Sequence, residues 1–178
     1  MLLRLFVFGL LIIATLLMSC SQDIGSENNS NKKSIKTQQE SLIKANKYLV
    51  KSERTEIDNY IRRHQLTVVE TGSGLKYQIL KAGGGVNAKN GDIVTLKYKV
   101  KLITGNLIYS SEESGPLQFE LGHSVVESGL EEALLNMKVG DEAIIIIPSH
   151  LAHGLLGDNK KIPQRSTVIY EIEFTNIN

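Results

Sequence analysis

From Val68 to Thr175 the polar–apolar pattern of this chain keeps a period of two, broken by one amphipathic segment between Leu130 and Met137. A period of two marks strands with one buried face; a period near 3.6 marks a helix with one buried stripe. The clearest strand follows Gly91-Asp92, where Val94, Leu96, Tyr98, Val100 and Leu102 alternate with Thr95, Lys97, Lys99 and Lys101. One side should be buried and the other wet, as in an antiparallel sheet covered on one face. Leu75 to Ile79, Leu107 to Tyr109 and Leu117 to Leu121 supply further strands. Ala143 to Ile147 is apolar throughout and reads as a central strand, and the chain closes on Val168, Tyr170, Ile172 and Phe174 facing inward. In the helical segment Ser128 and Glu131 occupy capping-box positions, and Leu130, Ala133, Leu134 and Met137 form the stripe. Lys138 falls in the last turn and Gly140 at the stop. The expected fold is α+β: a curled antiparallel sheet of five to six strands wrapped over one amphipathic helix. No βαβ rhythm appears, which argues against a nucleotide-binding parallel sheet.

Upstream the pattern changes. Leu42, Ile43, Ala45, Leu49 and Val50, then Ile57, Tyr60 and Ile61, recur at helical spacing. Ser52 interrupts them and is placed to cap a second piece, so residues 40–66 are expected to form two short helices, a stalk or a dimer contact. Residues 20–39 are Ser, Asn, Lys, Gln and Asp with few apolar partners, the composition of a flexible tether. Residues 1–19 have the build of an export signal: Arg4, an uncharged run from Leu5 to Met18, and Leu17-Met18-Ser19 before Cys20. The run is short for a spanning helix, which needs about 20 residues. Leu17 to Cys20 resembles the bacterial lipobox, with Met18 a mild departure, so Cys20 is expected to carry the lipid. It is the sole cysteine of the chain, so an intrachain disulfide is excluded. Residues 67–178 then form one domain.

Charge excludes some partners. Lys and Arg number nine against six Asp and Glu from Cys20 to Leu66, and ten against thirteen from Thr67 to Asn178. Neither half is basic enough for a nucleic-acid binder. Polar catalysis also finds little support. Gly83-Gly84-Gly85 is followed by neither a Lys-Ser/Thr pair nor a helix, and reads as a flexible turn rather than a phosphate loop. His64, His123, His150 and His153 form no cluster with acids at metal-ligand spacing, and Ser124 lacks the glycine frame of a nucleophile elbow. No metal site and no cofactor are expected. Any activity must come from an apolar pocket and backbone groups.

Six segments carry a specific resemblance: GDIVTLKY at 91–98, IYSS at 108–111, PLQFELG at 116–122, GLEEALLNMKVG at 129–140, IPSHLAHG at 147–154, and IP with STVIYEIEF at 162–174. Together they resemble the FKBP-type peptidyl-prolyl isomerase domain in the family's order and spacing. The lipobox, the helical stalk and SGLKY at 73–77 are similar to the gliding-motility-associated lipoprotein branch of Bacteroidetes. The reaction suits a site without acid, base or nucleophile. Twisting an X-Pro bond breaks amide resonance against a barrier of about 18–20 kcal/mol. The planar amide is the more charge-separated state, so an apolar cradle raises it relative to the twisted one. Each 1.4 kcal/mol or so removed from the barrier speeds the turn tenfold.

By position, the resemblance implies that Tyr98 is the wall residue whose hydroxyl bonds the peptide. It implies a cradle of Ile108, Leu117, Val126 and Tyr170, with Ile162 on the loop side and Leu130 as the floor where Trp is usual. The backbone N–H of Glu127 would donate to the substrate carbonyl. His153 stands where a loop Tyr usually donates, and Tyr109 where an Asp is common. Phe119 and Ile172 are expected to be core alone. The implied function is a peptidyl-prolyl cis-trans isomerase assisting the folding of proline-containing exported polypeptides at the bacterial envelope. The lipid would hold it at the outer membrane facing the periplasm, possible homodimerisation running through the stalk. The alternative is a chaperone or scaffold subunit of an envelope machine, using the same fold with little turnover.

Overall fold

A computed structural model describes the chain from Gly25 to Asn178, with side chains from Ile35 onward. The expected signal segment, Cys20 and the first residues of the tether lie outside the described residues. The chain divides into two compact units between Tyr48 and Leu49.

Residues Gly25–Arg63 form one continuous helix, α1, where two short helices were expected. Ser52 does not break it, and Gly25 to Gln39, expected as tether, is helical as well. A polar residue inside a helix costs only a few tenths of a kcal/mol, and packing holds the turns that follow Ser52. Ile57 and Tyr60, 3% and 6% exposed, supply that packing.

Seven strands follow in one sheet: β1 (Val69–Glu70), β2 (Lys76–Lys81), β3 (Ile93–Leu102), β4 (Leu107–Ser110), β5 (Leu117–Glu120), β6 (Glu142–Ile147) and β7 (Val168–Ile177). Between β4 and β5 lies a single turn, α2 (Ser111–Ser114); α3 is Ser128–Leu134, and a 3-10 turn covers Ser149–Leu151. All pairings are antiparallel, in the order β1-β2-β6-β7-β3-β4, with β5 also on β3. The α+β fold stands as expected; the extra strand is the two-residue β1.

The main core lies on the concave face, where Val94, Leu96, Ala143, Ile145, Ile147, Val168, Ile172 and Phe174 meet Leu130, Ala133 and Leu134 of α3. The opposite face is not wet throughout. Ile146 and Ile169 pack with Ile57 and Tyr60 of α1 in a second core. This accounts for the unbroken isoleucines of β6: Ile145 and Ile147 serve one face while Ile144 and Ile146 serve the other.

Three local expectations fail. The capping box does not form: Glu127 is the residue preceding α3 and its side chain caps nothing. Ser128 Oγ donates instead to the Leu151 carbonyl at 3.3 Å, and Glu131 Oε1 accepts from Ser124 N at 3.0 Å. Gly140 is not the helix stop, because α3 ends at Leu134; its N–H donates to the Phe174 carbonyl at 2.7 Å. Nor is the glycine triplet merely a turn. Gly83 N donates to Asp141 Oδ1 at 2.6 Å, and a Cβ there would lie 2.3 Å from the Val139 carbonyl oxygen. The backbone approaches too closely for any side chain.

Candidate active site

The partner of β3 splits in two. β5 pairs with Ile93 to Leu96 and β4 with Lys99 to Lys101, while the chain between them leaves as α2. Tyr98 sits at the opening, paired to Ile172 on the β7 side, its own N–H accepted by Ser111 Oγ at 3.1 Å. A cavity of about 410 Å³ lies over this opening. Tyr98 and Val100 of β3, Tyr109 of β4, Leu117 of β5 and Tyr170 of β7 form its sheet side. Val125, Val126 and Glu127 enter from the segment before α3, and Ala152 and His153 from the loop after β6.

The cavity thus gathers seven of the ten residues expected from the sequence: Tyr98, Tyr109, Leu117, Val126, Glu127, His153 and Tyr170. Ile108, Leu130 and Ile162 are not among its lining. Leu130 has no exposure at all and belongs to the main core, so a leucine on α3 buries itself beneath the cavity rather than flooring it. Ile162 is likewise buried and Ile108 packs against the same core. Phe119 and Ile172 are core, as expected.

Two polar networks border the apolar surface. Tyr170, 5% exposed, donates its hydroxyl to both carboxylate oxygens of Glu127 at 3.0 Å. His153 Nε2 lies 2.8 Å from Glu127 Oε1, and the Glu127 side chain is only 11% exposed. Burial, reinforced by the Glu127 charge, pushes the Tyr170 hydroxyl well above its ordinary range, so it stays a donor. The Glu127 N–H has no acceptor among the described residues.

In the second network Tyr109 donates its hydroxyl to Asp158 Oδ2. Asp158 Oδ1 accepts from the N–H groups of Lys160 and Ile162, both at 2.8 Å. Burial works against the Asp158 charge, but the bonds from Tyr109, Ile162 and Lys160 outweigh it and hold the pKa at about 2. The bond to Asp158, then burial, raises Tyr109. Lys161 Nζ lies 5.2 Å from the centre of the Tyr109 ring and donates to the Ile108 carbonyl at 3.2 Å.

Sequence reasoning missed Asp158, the Glu127 carboxylate and the lining role of Val100, Val125 and Ala152. A buried tyrosine needs a partner for its hydroxyl; that rule, applied to Tyr170, was the available signal for Glu127. Asp158 lies 49 residues from Tyr109 in a loop without periodicity, so nothing in the chain linked them.

A sequence profile described as FKBP-type peptidyl-prolyl cis-trans isomerase matches residues 84–175. The chain belongs to this family. It is 32% identical over 148 residues to a probable FKBP-type peptidyl-prolyl cis-trans isomerase FkpA of Neisseria meningitidis serogroup B, covering 82% of this chain and 54% of that one. It is 41% identical over 91 residues to FK506-binding protein 2 of Yarrowia lipolytica, covering 51% of this chain and 63% of that one. The chain therefore spans between half and two thirds of these two relatives. The crystal structure of FkpA from Escherichia coli matches with a TM-score of 0.64 at 26% identity, covering 98% of this chain and 82% of that one.

Proposed function

We propose that this FKBP-family chain is a peptidyl-prolyl cis-trans isomerase acting on exported polypeptides at the bacterial envelope. One observation carries the reading: an apolar cavity sits at the split edge of β3, with a backbone N–H and tyrosine hydroxyls around it. A prolyl ring entering between Val100, Leu117, Val126 and Tyr170 leaves water, and its planar amide loses more solvation than the twisted form. The Glu127 N–H holds the substrate carbonyl and the Tyr98 hydroxyl bonds the peptide. Glu127, held by Tyr170 and His153, keeps that N–H aimed at one place. No proton moves and no bond is made, so rate should depend little on pH wherever these networks persist.

The envelope placement rests on the Leu17-Met18-Ser19-Cys20 lipobox and the apolar run before it, with a gliding-motility type of lipoprotein as the finer reading. Among the described residues no helix is long and apolar enough to cross a membrane, which is compatible with a lipid anchor at Cys20. Ile35, Leu42 and Leu49 recur every seven residues on α1 and are exposed, which favours a homodimer along that helix. A protease-coupled assay with proline peptides of varied preceding residue tests the activity. Acceleration should fall at least tenfold in Tyr98→Phe with Glu127→Pro combined. A wild-type chain that accelerates none of the peptides, yet slows aggregation of an unfolded client, would instead support the chaperone alternative.

A further inference from the structure

The segment from Pro148 to Thr167 delivers Ala152 and His153 to the cavity, yet only its 3-10 turn is regular structure. A three-residue turn of this kind has little stability of its own. Its two ends meet at one side chain from outside the sheet. Glu53 of α1 accepts Ser149 N at 2.7 Å and Thr167 Oγ1 at 2.8 Å on Oε1, and Ser149 Oγ at 3.0 Å on Oε2. Ser149 and Thr167 are themselves 9% and 4% exposed, so these donors have no ready exchange with water. The same Ser149 passes the constraint on. Its carbonyl accepts the N–H of Ala152 at 3.2 Å and of Gly154 at 2.8 Å, the residues on either side of His153. The Gly154 carbonyl in turn accepts Arg165 N at 2.8 Å, two residues before Thr167.

We propose that Glu53 is a positioning residue of the isomerase site: by clamping Ser149 and Thr167 it fixes the loop that presents Ala152 and His153. The inference rests on the isomerase reading of the cavity for its effect on turnover, but its geometry stands apart from it. The helix before the FKBP domain is thereby a working part of the site and not only a spacer. Neither end of the loop bonds to the sheet through its side chain; both bond to the carboxylate on α1.

The test uses the full chain and compares Glu53→Ala, Glu53→Gln and Phe174→Leu, the last a truncation in the main core at a residue of β7 that does not line the cavity. Two readouts are taken under conditions where each variant is folded: kcat/KM on a proline peptide, and amide hydrogen exchange at Ala152 and Gly154. Glu53→Ala should lower kcat/KM about tenfold or more, since small misplacements of site groups carry penalties of this order. Glu53→Gln, which keeps an acceptor in place, should restore most of it, and Phe174→Leu should leave it near wild type despite its lower stability. Exchange at Ala152 and Gly154 should quicken in Glu53→Ala alone. Wild-type turnover in Glu53→Ala, or an equal loss in Phe174→Leu, overturns the proposal and leaves the isomerase reading intact. If the wild type itself shows no turnover, that reading fails, and the exchange rates decide: selective quickening upholds the clamp, equal rates overturn it. Should Glu53→Ala not fold, Thr167→Val removes one of the clamp's donors, and unchanged exchange and turnover there also overturn it.

Discussion

Glu127 shows how one side chain can join three elements of a site. Its carboxylate is nearly buried and is met by Tyr170 from β7 and His153 from the loop after β6. Removing one partner leaves a buried charge short of a bond, at a cost of about 1–3 kcal/mol. Tyr170→Phe should therefore lower stability by about that amount at pH 7, read by urea denaturation. The Tyr170 pKa is raised in the fold, so its contribution is complete below the unfolded tyrosine value near 10 and is lost as pH rises beyond it. The gap between wild type and Tyr170→Phe should accordingly narrow above pH 10. Asp158 runs the other way. Its folded pKa of about 2 lies below the unfolded value near 3.9, so its contribution is present above pH 4 or so and fades toward pH 2. Asp158→Asn should be less stable than wild type at pH 7, and the gap should close as pH falls through 2, measured by thermal unfolding. It should also free the Tyr109 ring, seen as sharper ring-proton resonances.

At the scale of elements, alternation in β3 and β7 and the stripe of α3 follow from side-chain periodicity alone, because each has one face toward a single core. The placement of α1 does not. Its apolar residues are spaced for a helix in any setting, and nothing in 40–66 says that Ile57 and Tyr60 face Ile146 and Ile169. The isoleucines of β6 held the matching half of that information, but a run buried on both faces reads only as central. Ile57→Ala should cost about 2–4 kcal/mol in a denaturant titration, as for other large-to-small changes in a core. Leu42→Ala, a 70% exposed position on the same helix, should leave the stability of the folded domain within about 0.5 kcal/mol. The capping box failed for a related reason. Ser128 and Glu131 were better used by the Leu151 carbonyl and the Ser124 N–H, partners that only the folded chain supplies.

At the scale of the whole molecule the proposed function is that of a lipid-held isomerase. Growth with labelled palmitate should mark the wild-type chain and not Cys20→Ala, and the variant should leave the membrane fraction. Sedimentation of the chain without its lipid should show a dimer that Leu42→Lys with Leu49→Lys converts to monomer. What the sequence by itself determined is the part encoded in spacing: an α+β domain, its strands, one packed helix, the FKBP segments, and most of the cavity residues named by their positions within those segments. What only the tertiary structure decided is the set of partners brought together across long stretches of chain. Glu53 with Ser149 and Thr167, Glu127 with Tyr170, and Tyr109 with Asp158 are such partners. Periodicity reports which face of an element is buried, because that depends on neighbours a few residues away. A hydrogen bond between distant side chains depends on how the elements cross, and a linear pattern carries no record of that.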